Sequence, residues 1–368
     1  MRRVTVGTGY GSVESLAAHA PCQGGPVARG WSSVEISRVL PSHHTPNGFR
    51  NPSPDGQLRG PGAMLRWVWQ RLRTRGLFAS SGGAPPIPAA HHVHQPRGGE
   101  TQCAVTWVGH SSFLIQAGGR NILTDPVWSA RCAPVQWAGP RRQSAPGIPF
   151  GELPPIDIVL QSHDHYDHFD DWTVRAIAHA HPAAHWYTPL GVGRRLRARG
   201  VTVVSELDWW QARSHDGVDV TCVPAQHFSG RTPWDRNTTL WGGFVVQLAG
   251  HALYFVGDTG WHDDFGEIGR RCGPFDTVLM PIGAYDPRWI MAPVHVNPEE
   301  AVRAFTTLRA AHPASAPVMV AMHWGTFVLT DEALDEPPAR TRAAWAALGL
   351  PADQLWVMAP GETRTADC

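Results

Sequence analysis

"IDIVLQSHDHYDHFDDWTVRAIAHAH", residues 156–181, decides how the rest of this chain is read. It opens on a short apolar run of the length and composition of a buried strand and closes on a segment with helical spacing. Between them, residues 163–170 hold three histidines and three aspartates. His163 and His165 lie two apart, so in an extended segment they point the same way. Asp167 and His168 follow at the turn into the helix. Imidazole nitrogen and carboxylate oxygen suit zinc and similar divalent ions. A lone histidine here would be an ordinary core residue; three with an aspartate at this spacing point to a metal-binding loop.

Such a loop needs ligands from elsewhere, at the ends of other strands. "CVPAQHFSG" supplies His227, "LYFVGDTG" ends on Asp258, and "VMVAMHWGT" ends on His323. Each polar residue terminates an apolar run, so a layered sheet would gather all three along one edge. Five histidines and two aspartates suffice for two ions. His163, His165 and His227 would hold one, Asp167, His168 and His323 the other, and Asp258 would bridge them.

Around these points the chain from Cys103 onward alternates strands and helices. "AVTWVGHSSFLIQAGGRNILTDP" reads as three strands with a Gly-Gly turn. "VNPEEAVRAFTTLRAA" starts a helix with Asn297 as N-cap, Pro298 at its first position and Glu300 closing a capping box. The class is therefore α/β or α+β, with stacked layers.

The bulk composition narrows the function. The chain has 368 residues, 31 basic and 31 acidic, giving a formal net charge of zero. That gives no global attraction to nucleic acid, so no nucleic-acid partner is expected. Glycine (38) and proline (33) are plentiful enough for many loops but below the disordered range. The six scattered cysteines (Cys22, Cys103, Cys132, Cys222, Cys272, Cys368) form no CxxC pair and read as free thiols. The first residues lack a continuous apolar core of a signal peptide, and no run reaches a membrane span. A cytoplasmic protein is expected, with peripheral contact to the inner membrane surface open to it.

The linear order HxHxDH, a distant His, a GDTG Asp and a final His resembles the metallo-β-lactamase superfamily. "TWVGHSSFLI", "ELPPIDIVLQSHDHYDHFD", "PIGAYDPRWIM", "HVNPEEAVRAF" and "HWGTF" are similar to the N-acylphosphatidylethanolamine-hydrolysing phospholipase D family within it. The resemblance runs from about residue 103 to the end, and "GFRNP" with "LRW" extends it toward the N-terminus. It implies a four-layer αββα sandwich and two divalent ions, zinc foremost, although iron and manganese fit the same ligands. Two ions would bring the pKa of a water between them to about 7. The implied reaction cleaves a phospholipid on the head-group side, giving phosphatidic acid and an N-acylethanolamine. Asp167 and His295 are the candidate catalytic groups, His295 as acid or substrate-orienting residue. Asp125 and His110 are expected to support the ligands from behind. Tyr285, Trp289 and Trp128 are candidates for a lipid groove, against plain core packing.

Residues 1–100 read as an irregular N-terminal extension to a hydrolase domain at 101–368. Its one periodic stretch, 62–76, places Leu65, Val68, Trp69 and Leu72 on one helical face with Arg66 and Arg73 roughly opposite. It is either a brace docked on the domain or a basic amphipathic helix that rests on lipid. The histidine-rich 89–99 reads as polar linker rather than a metal site. Competing functions are a lactonase or other small-substrate hydrolase on the same centre, and a metal-binding protein without hydrolysis. Oligomeric state is open, a homo-oligomer being one outcome.

Overall fold

A computed structural model describes residues 41–53, 60–74, 76, 79, 82–85, 93–99 and 103–366. The described N-terminal part holds a small ribbon, β1 (His44–Thr45) and β2 (Gly48–Phe49), and helix α1 (Pro61–Thr74). The first half of the domain supplies β3 (Cys103–Gly109), β4 (Ser112–Ala117), β5 (Arg120–Thr124) and β6 (Ile158–Leu160). Helix α2 (Asp171–Ala180), β7 (His185–Pro189), α3 (Val192–Arg197) and β8 (Val204–Leu207) complete it. The second half supplies β9 (Ala212–His215), β10 (Val218–Val223), β11 (Gly243–Leu248), β12 (His251–Phe255) and α4 (Asp264–Cys272). There follow β13 (Thr277–Pro281), α5 (Arg288–Met291), α6 (Pro298–Arg309), β14 (Val318–Met322), α7 (Glu336–Ala347), β15 (Leu355–Trp356) and β16 (Thr363–Ala366).

These form two seven-stranded sheets, ordered β16-β3-β4-β5-β6-β7-β8 and β15-β14-β13-β12-β11-β10-β9. In each, an antiparallel meander passes into parallel strands, at β5–β6 in the first and β12–β13 in the second. The side chains explain the stacking. Along β4, Phe113 and Ile115 join the core shared by the two sheets, while Leu114 between them joins a separate core with Val174 and Ile177 of α2 and Leu196 of α3. Strand β6 divides likewise, with Ile158 and Leu160 on one side and Val159 on the other. On the far face, Phe265 of α4, Phe305 of α6 and Trp345 of α7 pack onto the second sheet. The result is the expected α–β–β–α order of four layers. Each fully buried apolar side chain contributes roughly 1.5–3 kcal/mol to holding it.

The capping box at α6 is present, with Asn297 accepting from Glu300 N and the Glu300 carboxylate accepting from Asn297 N. The four described cysteines, Cys103, Cys132, Cys222 and Cys272, are all buried. Of the histidine-rich stretch, His91 and His92 lie outside the described residues, and His94 donates its N–H to Gln116.

Helix α1 is where the sequence reading needs correction. It docks, but not by the predicted face. Trp67 is buried with Ile290 and Met291, Ala63, Met64 and Val68 pack around it, and its indole N–H donates to Asp331. Arg71, also buried, donates to the carbonyls of Leu329 and Thr330 and pairs with Asp331. Leu65, Trp69 and Leu72 face outward, 70%, 56% and 56% exposed. Val68 alone of the predicted stripe turns inward. An anchored tryptophan and a neutralised arginine hold this helix to the domain more firmly than its greasier outer side could.

Candidate metal centre

All four ligands predicted from the opening stretch lie on the loop that leaves β6, and the other three follow β10, β12 and β14. These strands run in the same direction, so their C-terminal ends meet at one edge of the sandwich, the usual place for a site in such sheets. Two backbone features crowd the residues together. Gly257, at φ +68°, lets the chain turn into Asp258 beside Ser162, and a Cβ on Gly283 would sit 2.2 Å from the His323 carbonyl. His110, Asp125 and His323 themselves adopt positive φ (56°, 28° and 60°), each a strained position for a side chain of this kind. Such strain costs about 1–3 kcal/mol per residue and persists only where the surroundings impose it.

Donor atoms form two adjoining groups. In the first, His163 Nε2 lies 2.9 Å and His227 Nε2 lies 3.2 Å from His165 Nδ1. In the second, His168 Nε2 and His323 Nε2 are 3.2 Å apart, each 3.4 Å from Asp167 Oδ2. Asp258 sits between the groups, its Oδ2 3.0 Å from His323, 3.2 Å from His168 and 3.7 Å from His227. The seven predicted residues are thus brought together in the predicted division.

The outer ring nitrogens show that the inner ones are lone-pair donors. His168 Nδ1 is 2.6 Å from Asp125, His163 Nδ1 is 2.8 Å from Ser162 Oγ, and His227 Nδ1 is 3.0 Å from the Val294 carbonyl. A proton on each Nδ1 leaves each Nε2 with its lone pair aimed into the cluster. Asp258 Oδ1 is buried with no hydrogen-bond partner. Facing lone pairs about 3 Å apart and an orphaned carboxylate oxygen are what a pair of divalent cations would satisfy. The residues fit.

Electrostatics within the bare cluster run the same way. Burial alone would raise the carboxyls of Asp167 and Asp258, but neighbouring histidines, His168 foremost, hold both well below the ordinary range. Burial pushes His227 down to about 3 and His165 to about 4, leaving neutral imidazoles. His323 is raised to about 9: burial opposes charge there, but Asp258 and Asp167 outweigh it. Where no ion neutralises the carboxylates, protons on His168 and His323 do so.

Asp125 stands behind the ligands as predicted. Besides His168 it accepts from Ser162 N and Gln161 Nε2, at 2.7 and 3.1 Å, and from the Ser162 hydroxyl. His110 comes closer than a remote brace would, with Nε2 3.1 Å from Asp167 Oδ2. It completes a four-residue cluster with Asp167, His168 and His323. His295 is buried, its ring 5.0 Å from His227 and 5.4 Å from His323.

The proposed groove residues fare differently. Trp128 lies in the core under α2 with its N–H on the Ile148 carbonyl, and Tyr285 is buried with its hydroxyl on Glu336. Both are packing residues here rather than open walls. Trp289 is partly exposed beneath the Arg66 guanidinium. Two polar contributors escaped the sequence reading. Asp164 is fully buried and pins the ligand loop through Gly230 N, Thr239 Oγ1 and Arg195. Asn51, from the N-terminal strap, accepts the backbone N–H of His227 at 2.9 Å. Its signal was the "GFRNP" block, which carried no chemistry by itself.

With this geometry in place, comparison with known proteins is decisive at the family level. A β-lactamase superfamily domain profile matches residues 120–324. The chain belongs to the metallo-β-lactamase superfamily. An uncharacterised protein of Mycobacterium tuberculosis is 41% identical over 87% of this chain and 85% of its own. An N-acyl-phosphatidylethanolamine-hydrolyzing phospholipase D of Caenorhabditis elegans is 37% identical over 65% of this chain and 68% of its own. Among solved structures, the metallo hydrolase Igni18 of Ignicoccus hospitalis superposes with a TM-score of 0.55 at 24% identity, covering 73% of this chain and all of the other. This superfamily member is a metal-dependent hydrolase.

Proposed function

We propose that this hydrolase is a two-metal phosphodiesterase with phospholipase D regiochemistry, releasing an N-acylethanolamine from an N-acylated phospholipid. The observation that carries the reading is Asp258 set between two ligand groups, an arrangement that would hold two ions. The "PIGAYDPRWIM" and "HVNPEEAVRAF" blocks and the named relative in Caenorhabditis elegans support the lipid substrate. Bound there, two divalent ions, zinc in our reading, supply Lewis acidity that activates water and takes up phosphoryl charge.

The protein's own part is orientation. Asp125, Ser162 and the Val294 carbonyl fix the ring tautomers described above. His295 is a neutral imidazole, because burial pushes its pKa well below the ordinary value. Its Nδ1 has no partner. A neutral ring suits holding a substrate oxygen or water in place better than it suits standing ready as an acid, so we assign His295 to orientation. The described residues contain no helix long and apolar enough to cross a membrane. Access to lipid then falls to a surface, and the outward Leu65, Trp69 and Leu72 of α1 provide one.

The test is product analysis on N-acylphosphatidylethanolamine in oxygen-18 water with metal-loaded enzyme. Label in phosphatidic acid is expected. Label in the ethanolamide, or lactone hydrolysis without any phosphodiester turnover, would refute the reading in favour of a small-substrate hydrolase.

A further inference from the structure

Beside the metal centre the N-terminal strap forms the wall of a second space. His43 and His44 both reach the Asp208 carboxylate, at 2.6 and 2.7 Å, and His43 stacks on Trp209 at 4.3 Å. Phe49 N donates to the Asn237 carbonyl and Arg50 N to the His43 carbonyl, so the ribbon is tied at both ends. Pinned in this way, the strap faces the segment after β10 across a cavity of about 340 Å³. Phe49, Arg50 and Asn51 line one side, and His227, Phe228, Arg236 and Asn237 the other.

The charge in this cavity is one-sided. On the same segment, Arg231 is paired with Asp171, and Arg195, packed against that segment, with Asp164 and Asp235. Arg236 has no carboxylate or hydrogen-bond partner among the described residues, and its guanidinium lies over the Phe228 ring at 5.2 Å. Arg50 spends Nε on the Ser42 carbonyl, which leaves its terminal nitrogens turned to other uses. No carboxylate among the described residues lines the cavity. Arg50 and Arg236 are both exposed to solvent at this concave surface, and each is a planar fork of donors shaped for carboxylate or phosphate.

We propose that this cavity is an anion subsite of the active centre, in which Arg236 and Arg50 bind a carboxylate or phosphate carried on one arm of the phosphodiester. His227 lines this cavity and also belongs to the ligand cluster, so the two sites adjoin. Within the proposed substrate class, this favours a phosphodiester that carries a second acidic group on its acyl or glyceryl arm. Phe49 and Phe228 leave room for a short aliphatic stem between the two charges. The inference rests on the phosphodiesterase reading for its substrate but on the arginines for its site.

The experiment pairs soluble chromogenic phosphodiesters whose arms end in a carboxylate or its methyl ester, placed on either arm. Metal-loaded wild type, Arg236→Gln and Arg50→Gln are compared, with melting temperature and metal content as controls on folding. Wild type should favour the carboxylate by roughly tenfold or more in kcat/KM, through KM, as expected for a charge-assisted hydrogen bond. In Arg236→Gln that ratio should fall toward one. Calorimetric titration with inorganic phosphate supplies a readout apart from turnover: wild type should show a site that Arg236→Gln lacks. A ratio and an isotherm both unchanged in Arg236→Gln would overturn the proposal. So would a defect confined to binding phosphatidylglycerol vesicles, which would make the arginines a membrane contact. If no phosphodiester is turned over, the phosphodiesterase reading fails, and the phosphate titration decides the subsite alone.

Discussion

Asp125→Asn isolates what the residue behind the ligands does for metal binding. Four donors converge on the wild-type carboxylate: His168 Nδ1, Ser162 N, the Ser162 hydroxyl and Gln161 Nε2. An asparagine has one accepting oxygen, so its NH2 group must confront at least one of those donors. If the NH2 turns toward His168, the ring loses its partner and can change tautomer, moving the proton to the nitrogen that should bind the ion. If it turns toward Ser162 and Gln161, the loop carrying His163 and His168 loses an anchor. Either way the isosteric change should weaken metal affinity about 10–100-fold, or roughly 1.4–2.7 kcal/mol. Competition against a chelating dye measures it, with circular dichroism to confirm that the fold persists. An affinity within twofold of wild type would refute the claim that Asp125 sets the ligand geometry.

Further outcomes follow from other parts of the molecule. Asp258→Ala should drop the metal content from near two ions per chain to one or fewer by elemental analysis, and unchanged loading would remove Asp258 from between the groups. Leu65→Ala/Trp69→Ala should reduce flotation with anionic liposomes, increasingly so with salt, because arginine–phosphate attraction is screened over roughly 8 Å at physiological ionic strength. The pair should leave the melting temperature close to wild type, since both side chains face outward, whereas Trp67→Ala should cost about 3 kcal/mol. The Asp208 carboxyl is held below its ordinary pKa, burial opposing and the His43 and His44 contacts prevailing. Its contribution to stability is therefore full above roughly pH 4, the unfolded value, and is lost as pH falls through the lower folded one. The melting-temperature gap between wild type and Asp208→Asn should shrink as pH falls below about 4.

The metal ligands were legible because each ends an apolar run, and a strand end is a place that sequence marks well. His163, His165, Asp167 and His168 also carry their geometry locally, through spacing alone. The orientation of α1 was not legible, because what holds Trp67 and Arg71 inward are Asp331 and the carbonyls of Leu329 and Thr330, far along the chain. A helical wheel weighs apolarity and cannot see such partners. Trp128 and Tyr285 look like groove residues by type, and only packing against α2 and Glu336 shows otherwise. Asp164, in a position open to many residues, gave no hint that Gly230, Thr239 and Arg195 converge on it. A strand buried on both faces hides its period of two, so β6 reads as a short greasy run whose inner and outer sides are indistinct.

The partition of ligands between the sheets bears on how the molecule comes together. Four of them leave β6 in the first sheet, and His227, Asp258 and His323 leave strands of the second. Neither half carries a full set for either ion: the first group lacks His227 and the second lacks His323 until the sheets meet face to face. A half-built sandwich can grip a cation only loosely, with open positions and exchangeable water. Tight metal binding would therefore require the arrangement in which both sheets have found their relative slide and tilt. Metal bound there would act as an arbiter of that alignment, drawing free energy from the same contacts that hold the site together.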